Sequence, residues 1–421
     1  MHPKELLDLT GGLLREILKL DAPADSIVSY YLRKHKALGS RERHALAETA
    51  YAVLRQKLLY HHLAQSGHGP MDRRLTLLAW QGQPHVLKLG ITVDEGTWLD
   101  RVQAIDRSTL PEKLRHNLPD WLANRLKDQL GADEFWALME TMSAGAPLDL
   151  RVNAVKAKRE AVLESLIQAE LPATITPFSP WGIRIEGKPA LQKMDLYTGG
   201  HVEVQDEGSQ LLALLTGAKR GEMVVDFCAG AGGKTLALGA MMRNTGRLYA
   251  FDVSGFRLEN IKPRLARSGL SNVYSAQIAH ERDDRIKRLS GKIDRVLVDA
   301  PCSGLGTLRR NPDLKWRQSP KAIDELQVKQ QAILASAQRL LKPGGRLVYA
   351  TCSLLQDENE EIVAAFSEEH KDLVPVHAGE ILTQAGVENA DTLVTPLGHL
   401  RLWPHRHATD GFYAAVWEKK A

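Results

Sequence analysis

VVDFCAGAGGKT (residues 224–235) is the first of three similar stretches; the others are IDRVLVDAPCSG (293–304) and GGRLVYATCS (344–353). Each is an apolar run, typical of a buried strand, that ends in small, polar or thiol residues. The chain has three cysteines, Cys228, Cys302 and Cys352, and each lies just past one of these predicted strands. Because a random scatter would rarely give this arrangement, we expect the thiols to belong to one site.

Strand and helix patterns alternate from residue 205 onwards, which predicts a mostly parallel sheet with helices on both faces. The C-terminal stretch HLRLWPHRHATDGFYAAVWEKK differs, because it contains two apolar runs joined by a polar turn with Asp410-Gly411. This pattern predicts an antiparallel hairpin.

The region before residue 205 contains two different sequence patterns. Leucines recur at helical spacing in residues 1–130, which predicts an all-α N-terminal domain. Residues 131–204 contain a strand, a helix and two further strands around a Pro-rich turn, which predicts a small α+β module. We therefore expect a multidomain chain whose third part, 205–421, is an α/β Rossmann-like domain.

Composition limits the function classes. The chain has 421 residues, 43% hydrophobic and 25% charged, with 55 basic and 51 acidic side chains. No apolar run approaches the roughly 20 residues of a membrane helix, and the N-terminus lacks the layout of a signal peptide. An odd number of widely spaced cysteines favours a reducing compartment, so we expect a cytoplasmic protein. The net charge of +4 permits nucleic-acid binding without requiring it.

Three ligand classes bind at glycine-rich turns of this kind: nucleoside triphosphates, dinucleotides and S-adenosylmethionine. The spacing of the glycines distinguishes them. A P-loop would need glycine at position 228, which is Cys228, and a dinucleotide fingerprint would need glycine at position 235, which is Thr235. S-adenosylmethionine needs a close backbone approach and an acid on the next strand for its ribose hydroxyls. Asp252 ends that strand and fits this role, although an Asp there can also cap the following helix.

Two thiols beside a methyl donor indicate methylation of a carbon that must first be activated. Carbon C5 of a pyrimidine is such an atom, because a thiolate that adds at C6 makes C5 nucleophilic. Asp299 lies just before Cys302 in DAPCSG, and we expect it to be close enough to hydrogen-bond the edge of the base at N3 or N4. The competing interpretation is that Cys302 and Cys352 are small buried apolar residues, as free cysteines often are. We assign Cys228 to packing beside the turn.

The motifs DFCAGAGGKT, VDAPCSGLGTLRRNPDLKW and KPGGRLVYATCS followed by ENE resemble the RNA cytosine-5 methyltransferases of the Nol1/Nop2/Sun group. The resemblance covers about residues 150–421. The N-terminal region is similar to the NusB-like RNA-binding domain of the bacterial 16S ribosomal RNA members, the RsmB type, and the small module is RRM-like. The resemblance implies methylation of C5 of an RNA cytosine with S-adenosylmethionine.

The resemblance also implies site residues. Cys352 is the expected nucleophile, Cys302 assists release of the methylated base, and Asp299 contacts the base and lines the cofactor site. The remaining cofactor-binding residues are expected to be Cys228, Ala229, Gly230, Ala231, Gly232, Gly233, Lys234 and Asp252. Lys234 also lines the base pocket, and the basic residues after the PCSG turn, Arg309, Arg310, Lys315 and Arg317, are expected to contact RNA. We expect no metal and a monomeric protein.

Two positions depart from the family pattern. Gly230-Ala231 stands where Ala-Pro is usual, and Gln277, Ile278 and Ala279 stand where an acid is expected after the third strand. Asp283 or Asp284 is a candidate replacement. Three alternatives remain: a transfer-RNA cytosine methyltransferase, a DNA cytosine methyltransferase with Cys302 as nucleophile, and a non-catalytic RNA-binding or ribosome assembly factor.

Overall fold

The computed structural model describes residues 1–187 and 189–420. These residues form two compact units. Unit 1 comprises Met1–Gly145 and Thr307–Ser319, and unit 2 comprises Ala146–Gly306 and Pro320–Ala421. A short segment from the C-terminal half of the chain is therefore built into the N-terminal unit.

The helices, in chain order, are α1 (Pro3–Ile17), α2 (Ala24–Lys34), α3 (Ser40–Arg55), α4 (Lys57–Ala64), α5 (Met71–Ala79), α6 (Pro84–Gly90), α7 (Val93–Gln103), α8 (Glu112–His116), α9 (Asp120–Leu130), α10 (Ala132–Ser143), α11 (Arg159–Gln168), α12 (Asp195–Thr198), α13 (Glu207–Leu214), α14 (Gly233–Met241), α15 (Gly255–Glu259), α16 (Ile261–Ser268), α17 (Asp284–Lys287), α18 (Leu314–Arg317), α19 (Pro320–Ala337), α20 (Glu360–Glu369), α21 (Ala378–Gln384) and α22 (Pro404–His407).

The strands are β1 (Leu148–Val152), β2 (Ala173–Ile175), β3 (Gly182–Ile185), β4 (Val202–Val204), β5 (Met223–Asp226), β6 (Arg247–Asp252), β7 (Val273–Gln277), β8 (Ile293–Asp299), β9 (Leu341–Thr351), β10 (Leu373–Val376), β11 (Leu400–Leu402) and β12 (Phe412–Lys419).

Unit 1 is helical, as the leucine spacing predicts. Leu7, Leu13 and Leu14 of α1 are fully buried, because residues three and four apart share one helix face. Helix α10 belongs to this unit, and its Phe135 is fully buried with its ring 5.8 Å from that of His116. The division between the two compact units falls between Gly145 and Ala146, whereas the predicted domain boundary follows residue 130.

Unit 2 contains two sheets. The first has the strand order β2-β3-β1-β4 with antiparallel pairs, and it forms the predicted α+β module together with α11. The second has the order β10-β12-β9-β8-β5-β6-β7, with β5 to β9 parallel and β11 paired with β12. Antiparallel pairing of Leu400–Leu402 with Phe412–Ala414 confirms the predicted C-terminal hairpin.

The parallel part of the second sheet creates a ligand site by its topology. Strand β5 lies between β6 and β8, so the chain leaves it in one direction and later returns on its other side. Ligands of open α/β sheets bind at such a switch point, beyond the carboxyl ends of the strands. Within residues 1–187 and 189–420, no helix has the length and apolarity required to cross a membrane.

Candidate active site

The glycine-rich turn, residues 228–234, follows β5 at the switch point. Gly230 and Gly232 have φ angles of +55° and +84°, a region that side chains with a Cβ rarely adopt. A Cβ on Gly232 would lie 2.9 Å from Cγ1 of Ile261. The turn therefore needs glycine at this position, both for its backbone angle and for its close packing against α16.

Asp252, at the end of β6, stabilises the glycine-rich turn by hydrogen bonding to its backbone. Its Oδ2 accepts a hydrogen bond from the Gly230 N–H at 2.8 Å, and its Oδ1 accepts one from the Ser254 N–H at 2.7 Å. An ionised carboxylate has about four lone-pair sites, so each oxygen retains capacity for a further donor. The capping role and the ribose-binding role predicted for Asp252 are thus compatible.

Lys234 and Asp299 form an ion pair with an Nζ–Oδ2 distance of 2.7 Å. Burial lowers the pKa of Lys234, but the Asp299 carboxylate, together with Cys352 and Asp226, raises it, and the net pKa is raised. The ammonium group therefore stays charged. It links the first turn of α14 to the end of β8.

The thiols of Cys302 and Cys352 meet, as expected if their strands are neighbours. Strands β8 and β9 pair in parallel, and the two Sγ atoms lie 3.4 Å apart. The pKa of Cys302 is raised well above its ordinary value, first by the hydrogen bond with Cys352 and then by burial. In this pair Cys302 keeps its proton.

Cys228 has a different environment. Burial, followed by the nearby Asp299 carboxylate, raises the pKa of its thiol well above the ordinary value. Phe251 and Val298 belong to the hydrophobic cluster on which Cys228 packs. A neutral, packed thiol agrees with the packing role predicted for this cysteine.

Two arginines that the sequence analysis missed hold the carbonyl side of the turn. Arg264 donates to the Ala231 carbonyl at 2.5 Å and Arg151 donates to the Gly233 carbonyl at 2.6 Å. Glu203 accepts from Arg264 at 2.9 Å. Burial lowers the pKa of Arg151 to about 10, which still leaves the guanidinium charged near neutral pH. Arg151 lies 82 residues before its partner, so no local pattern could reveal the contact.

The model of a family described as 16S rRNA methyltransferase RsmB/F matches residues 213–418, and that of an RsmF/B-like ferredoxin-like domain matches 118–192. The chain is 30% identical to the probable ribosomal RNA small subunit methyltransferase B of Synechocystis sp., over 97% of this chain and 98% of the relative. The chain belongs to the RsmB/F methyltransferase family. It is accordingly an RNA methyltransferase.

Solved structures agree with this assignment. The crystal structure of PH0851 is 26% identical, with a TM-score of 0.79, and the match covers 100% of this chain and 99% of that one. A methyltransferase homolog protein from Pyrococcus horikoshii is 27% identical with a TM-score of 0.62, over 75% of this chain and 100% of that one. The fold is thus shared with methyltransferase homologues over most of the chain.

The basic segment after the PCSG turn lies partly in the interior of unit 1. Arg309 and Lys315 are only 5% and 7% exposed, and both belong to unit 1. The Lys315 ammonium donates to the Arg55 carbonyl at 2.7 Å, and the Arg55 side chain donates to the Arg309 carbonyl at 3.1 Å. Burial and the neighbouring Arg55 lower the pKa of Lys315 to about 7. RNA contact by Arg309 and Lys315 stays a prediction, which the burial of both side chains does not favour.

Arg310 is half-buried and Arg317 is exposed, so both remain candidates for RNA contact. Arg317 also pairs with Asp313 at 3.3 Å. Only these two of the four predicted basic residues keep a partly accessible charge.

The candidate acids after β7 have structural partners. Asp283 accepts from the N–H groups of Ala279 at 3.0 Å and Arg285 at 2.9 Å, and so it caps helix α17. Asp284 is exposed and pairs with Lys287 at 3.0 Å. Neither contact indicates a ligand. Among the described residues, no group of three His, Cys, Asp or Glu side chains is arranged to hold a metal ion.

Proposed function

We propose that this protein methylates C5 of a cytosine in small-subunit ribosomal RNA, with S-adenosylmethionine as methyl donor. The observation that carries the proposal is the pair of thiols, 3.4 Å apart, at the carboxyl ends of two adjacent parallel strands. The name of the Synechocystis relative, a small-subunit ribosomal RNA methyltransferase, supports the choice of RNA.

The turn 228–234 and Asp252 would hold the methyl donor. Two glycines with positive φ leave the backbone open to close approach, and Asp252 has lone pairs left for ribose hydroxyls. This donor set, backbone amides and one carboxylate without a phosphate cradle, fits S-adenosylmethionine. When bound, the cofactor supplies an electrophilic methyl group on a sulfonium.

Cys352 is the proposed nucleophile. Its sulfur adds to C6 of the cytosine, and the electrons of the C5–C6 double bond then become available at C5 to attack the methyl group. Asp299 hydrogen-bonds the N3/N4 edge of the base and orients the ring. Lys234, paired with Asp299 at 2.7 Å, holds that carboxylate in place.

Cys302 is proposed to remove the C5 proton after methyl transfer. Loss of this proton re-forms the C5–C6 double bond and expels the Cys352 thiolate. The hydrogen bond with Cys352 is the largest cause of the raised pKa of Cys302. Because a Cys352 sulfur bonded to carbon no longer makes this contact, the pKa of Cys302 falls when the adduct has formed. The Cys302 thiol can then release its proton to solvent, and the resulting thiolate accepts the C5 proton.

The first experiment compares single thiol variants on RNA labelled by a radioactive methyl donor. We expect Cys352→Ala to abolish methyl transfer. We expect Cys302→Ala to accumulate a covalent RNA–protein adduct that resists denaturation. Full activity of Cys352→Ala, or an adduct in that variant that requires Cys302, would instead favour the DNA-methyltransferase arrangement of nucleophiles.

The second experiment identifies the RNA. Bisulfite sequencing of ribosomal and transfer RNA from a deletion strain should show one cytosine of the small-subunit RNA that is methylated only when the gene is present. Loss of methylation in transfer RNA alone would replace the proposed substrate. Unchanged methylation in both RNAs would favour the assembly-factor alternative.

A further inference from the structure

Glu358 is a fully buried carboxylate that contacts both thiol-bearing turns. Ser303 follows Cys302, and its N–H and hydroxyl donate to the two oxygens of Glu358 at 2.8 and 2.5 Å. Ser353 follows Cys352, and its hydroxyl donates to the same carboxylate. One side chain thus connects the residues next to the two sulfurs.

A second side chain reinforces this connection. The Gln330 amide, on α19, donates to Glu358 Oε1 at 3.1 Å and to the Pro301 carbonyl at 3.0 Å. The hydroxyls of Ser303 and Ser353 also lie within 3.1 Å of each other. A buried carboxylate satisfied by N–H and O–H donors is held rigidly, since breaking any one contact leaves a buried polar group without a partner.

We infer that Glu358 is a positioning residue that holds the Cys302 and Cys352 thiols at their reacting separation. The inference rests on the proposed function for its catalytic consequence, because only there do the two thiols act in sequence on one base. Glu358 does not touch the expected site of the base. It acts through Ser303 and Ser353.

The two turns depend on Glu358 to different degrees. At Ser303 the carboxylate binds both the backbone N–H and the hydroxyl, whereas at Ser353 it binds the hydroxyl. The Cys352 turn has further anchors, since Asn359 donates to the Ser353 carbonyl at 3.0 Å and Thr351 pairs with Tyr413 in the sheet. Loss of Glu358 should therefore displace Cys302 more than Cys352.

This asymmetry gives a specific kinetic signature. Glu358→Ala should slow release of the methylated base more than formation of the adduct. We therefore expect turnover to fall by about tenfold or more, since a misplacement on the order of 1 Å can reduce rates by about 100-fold. The fraction of RNA trapped as adduct should rise above that of the wild type, and Glu358→Gln, which keeps an acceptor oxygen, should lie between the two.

Glu207 provides the matched control. It is also fully buried in unit 2 and accepts from the N–H groups of Phe178 and Ser179 at 2.6 Å each. Glu207→Ala removes comparable contacts without touching either thiol turn. We expect it to lower the folded fraction without raising the trapped fraction; an equal rise in both variants would mean that Glu358 is only structural.

A second measurement requires neither RNA nor methyl donor. With oxidised glutathione, the two thiols form a disulfide, each releases a proton, and the oxidant is reduced to two molecules of glutathione. The rate of the Cys302–Cys352 link, measured by peptide mass, should fall by about tenfold in Glu358→Ala and stay unchanged in Glu207→Ala, for the same reason of misplacement. An unchanged rate in Glu358→Ala overturns the inference.

The two arms separate failure of the inference from failure of the proposed function. If Cys302→Ala forms no adduct, the proposed function is wrong, but the oxidation rate still decides whether Glu358 positions the thiols. If Glu358→Ala does not fold, Ser303→Ala replaces it, because this variant keeps the carboxylate and removes one hydroxyl contact. A smaller shift in the same direction supports the inference, and wild-type behaviour overturns it.

Discussion

Asp226 illustrates how a single residue near the site can be tuned by burial. It is fully buried at the end of β5, with its Oδ2 bonded to the Thr235 hydroxyl at 2.7 Å and its Oδ1 without a partner. Burial, only partly offset by the Thr235 hydrogen bond, raises the pKa of Asp226 to about 7. The folded protein therefore keeps a proton that the unfolded chain releases near pH 4.

This pKa shift predicts how stability depends on pH. Since the folded state binds the extra proton, the contribution of Asp226 is fully present below about pH 4 and is lost as the pH rises towards 7. Each pH unit in that window corresponds to about 1.4 kcal/mol. We expect Asp226→Asn to make the slope of the unfolding free energy less negative by about this amount per unit, measured by urea denaturation at pH 5, 6 and 7. Parallel slopes for the two proteins would show that Asp226 is ionised in the folded state.

At the residue scale, the sequence predicted the positions of side chains that directly follow the strands of the sheet. Cys302 and Cys352 each follow an apolar strand, and parallel neighbours bring their carboxyl ends together, so their meeting was predictable. The ENE motif contains Glu358, but its contact with Ser303, 55 positions earlier in the chain, depends on the fold and has no local signal. The roles of Cys352, Cys302 and Asp299 remain predictions.

At the scale of elements, two glycines distinguish the two reasons why a position can require glycine: a left-handed backbone and a lack of room for a Cβ atom. Gly232 and Gly221 both have positive φ, +84° and +80°. A Cβ on Gly232 meets Ile261 at 2.9 Å, whereas a Cβ on Gly221 has nothing within 4 Å. An alanine at Gly221 would therefore introduce backbone strain alone, whereas an alanine at Gly232 would also displace the turn.

We expect Gly232→Ala and Gly221→Ala each to lose roughly 1–2 kcal/mol of stability from the left-handed backbone. Only Gly232→Ala should also weaken binding of S-adenosylmethionine, because the turn must move away from α16. Calorimetric titration of the cofactor on both variants measures the difference. Equal affinities would mean that the turn tolerates the displacement or does not bind the cofactor.

The segment 307–319 shows which element-level features the sequence could not reveal. The expectation of RNA contact rested on its position after the PCSG turn and on its charge. Instead, Lys315 and Trp316 donate to the carbonyls of Arg55 and Leu54 at 2.7 Å each, in the last turn of α3. These carbonyls lack helical partners, and a cation there is also favoured by the helix dipole. The partners are 260 and 262 residues apart in sequence, so local patterns carry no signal of the contact.

At the scale of the whole molecule, unit 1 is made from two distant parts of the chain. Residues 1–145 supply its helical core, and residues 307–319 enter it from the sequence between the Cys302 turn and α19. Leu308, Arg309 and Lys315 are each less than 8% exposed. A truncation at the predicted boundary after residue 130 would therefore cut within unit 1, and one after residue 145 would leave the segment 307–319 without its core.

This organisation predicts a difference between two truncations. Removal of residues 1–145 alone should expose Leu308 and Trp316, and the protein should bind a hydrophobic dye and aggregate. Removal of 1–145 together with replacement of 307–319 by a Gly/Ser linker of equal length should prevent this exposure. We expect the second variant to retain affinity for S-adenosylmethionine. We expect its RNA affinity to fall by roughly tenfold or more at moderate salt, because it lacks the N-terminal domain that is predicted to bind RNA phosphates. Cofactor titration and RNA filter binding measure the two affinities. Equal losses of both would show that unit 1 is needed for unit 2 to fold, in which case unit 1 need not bind RNA at all.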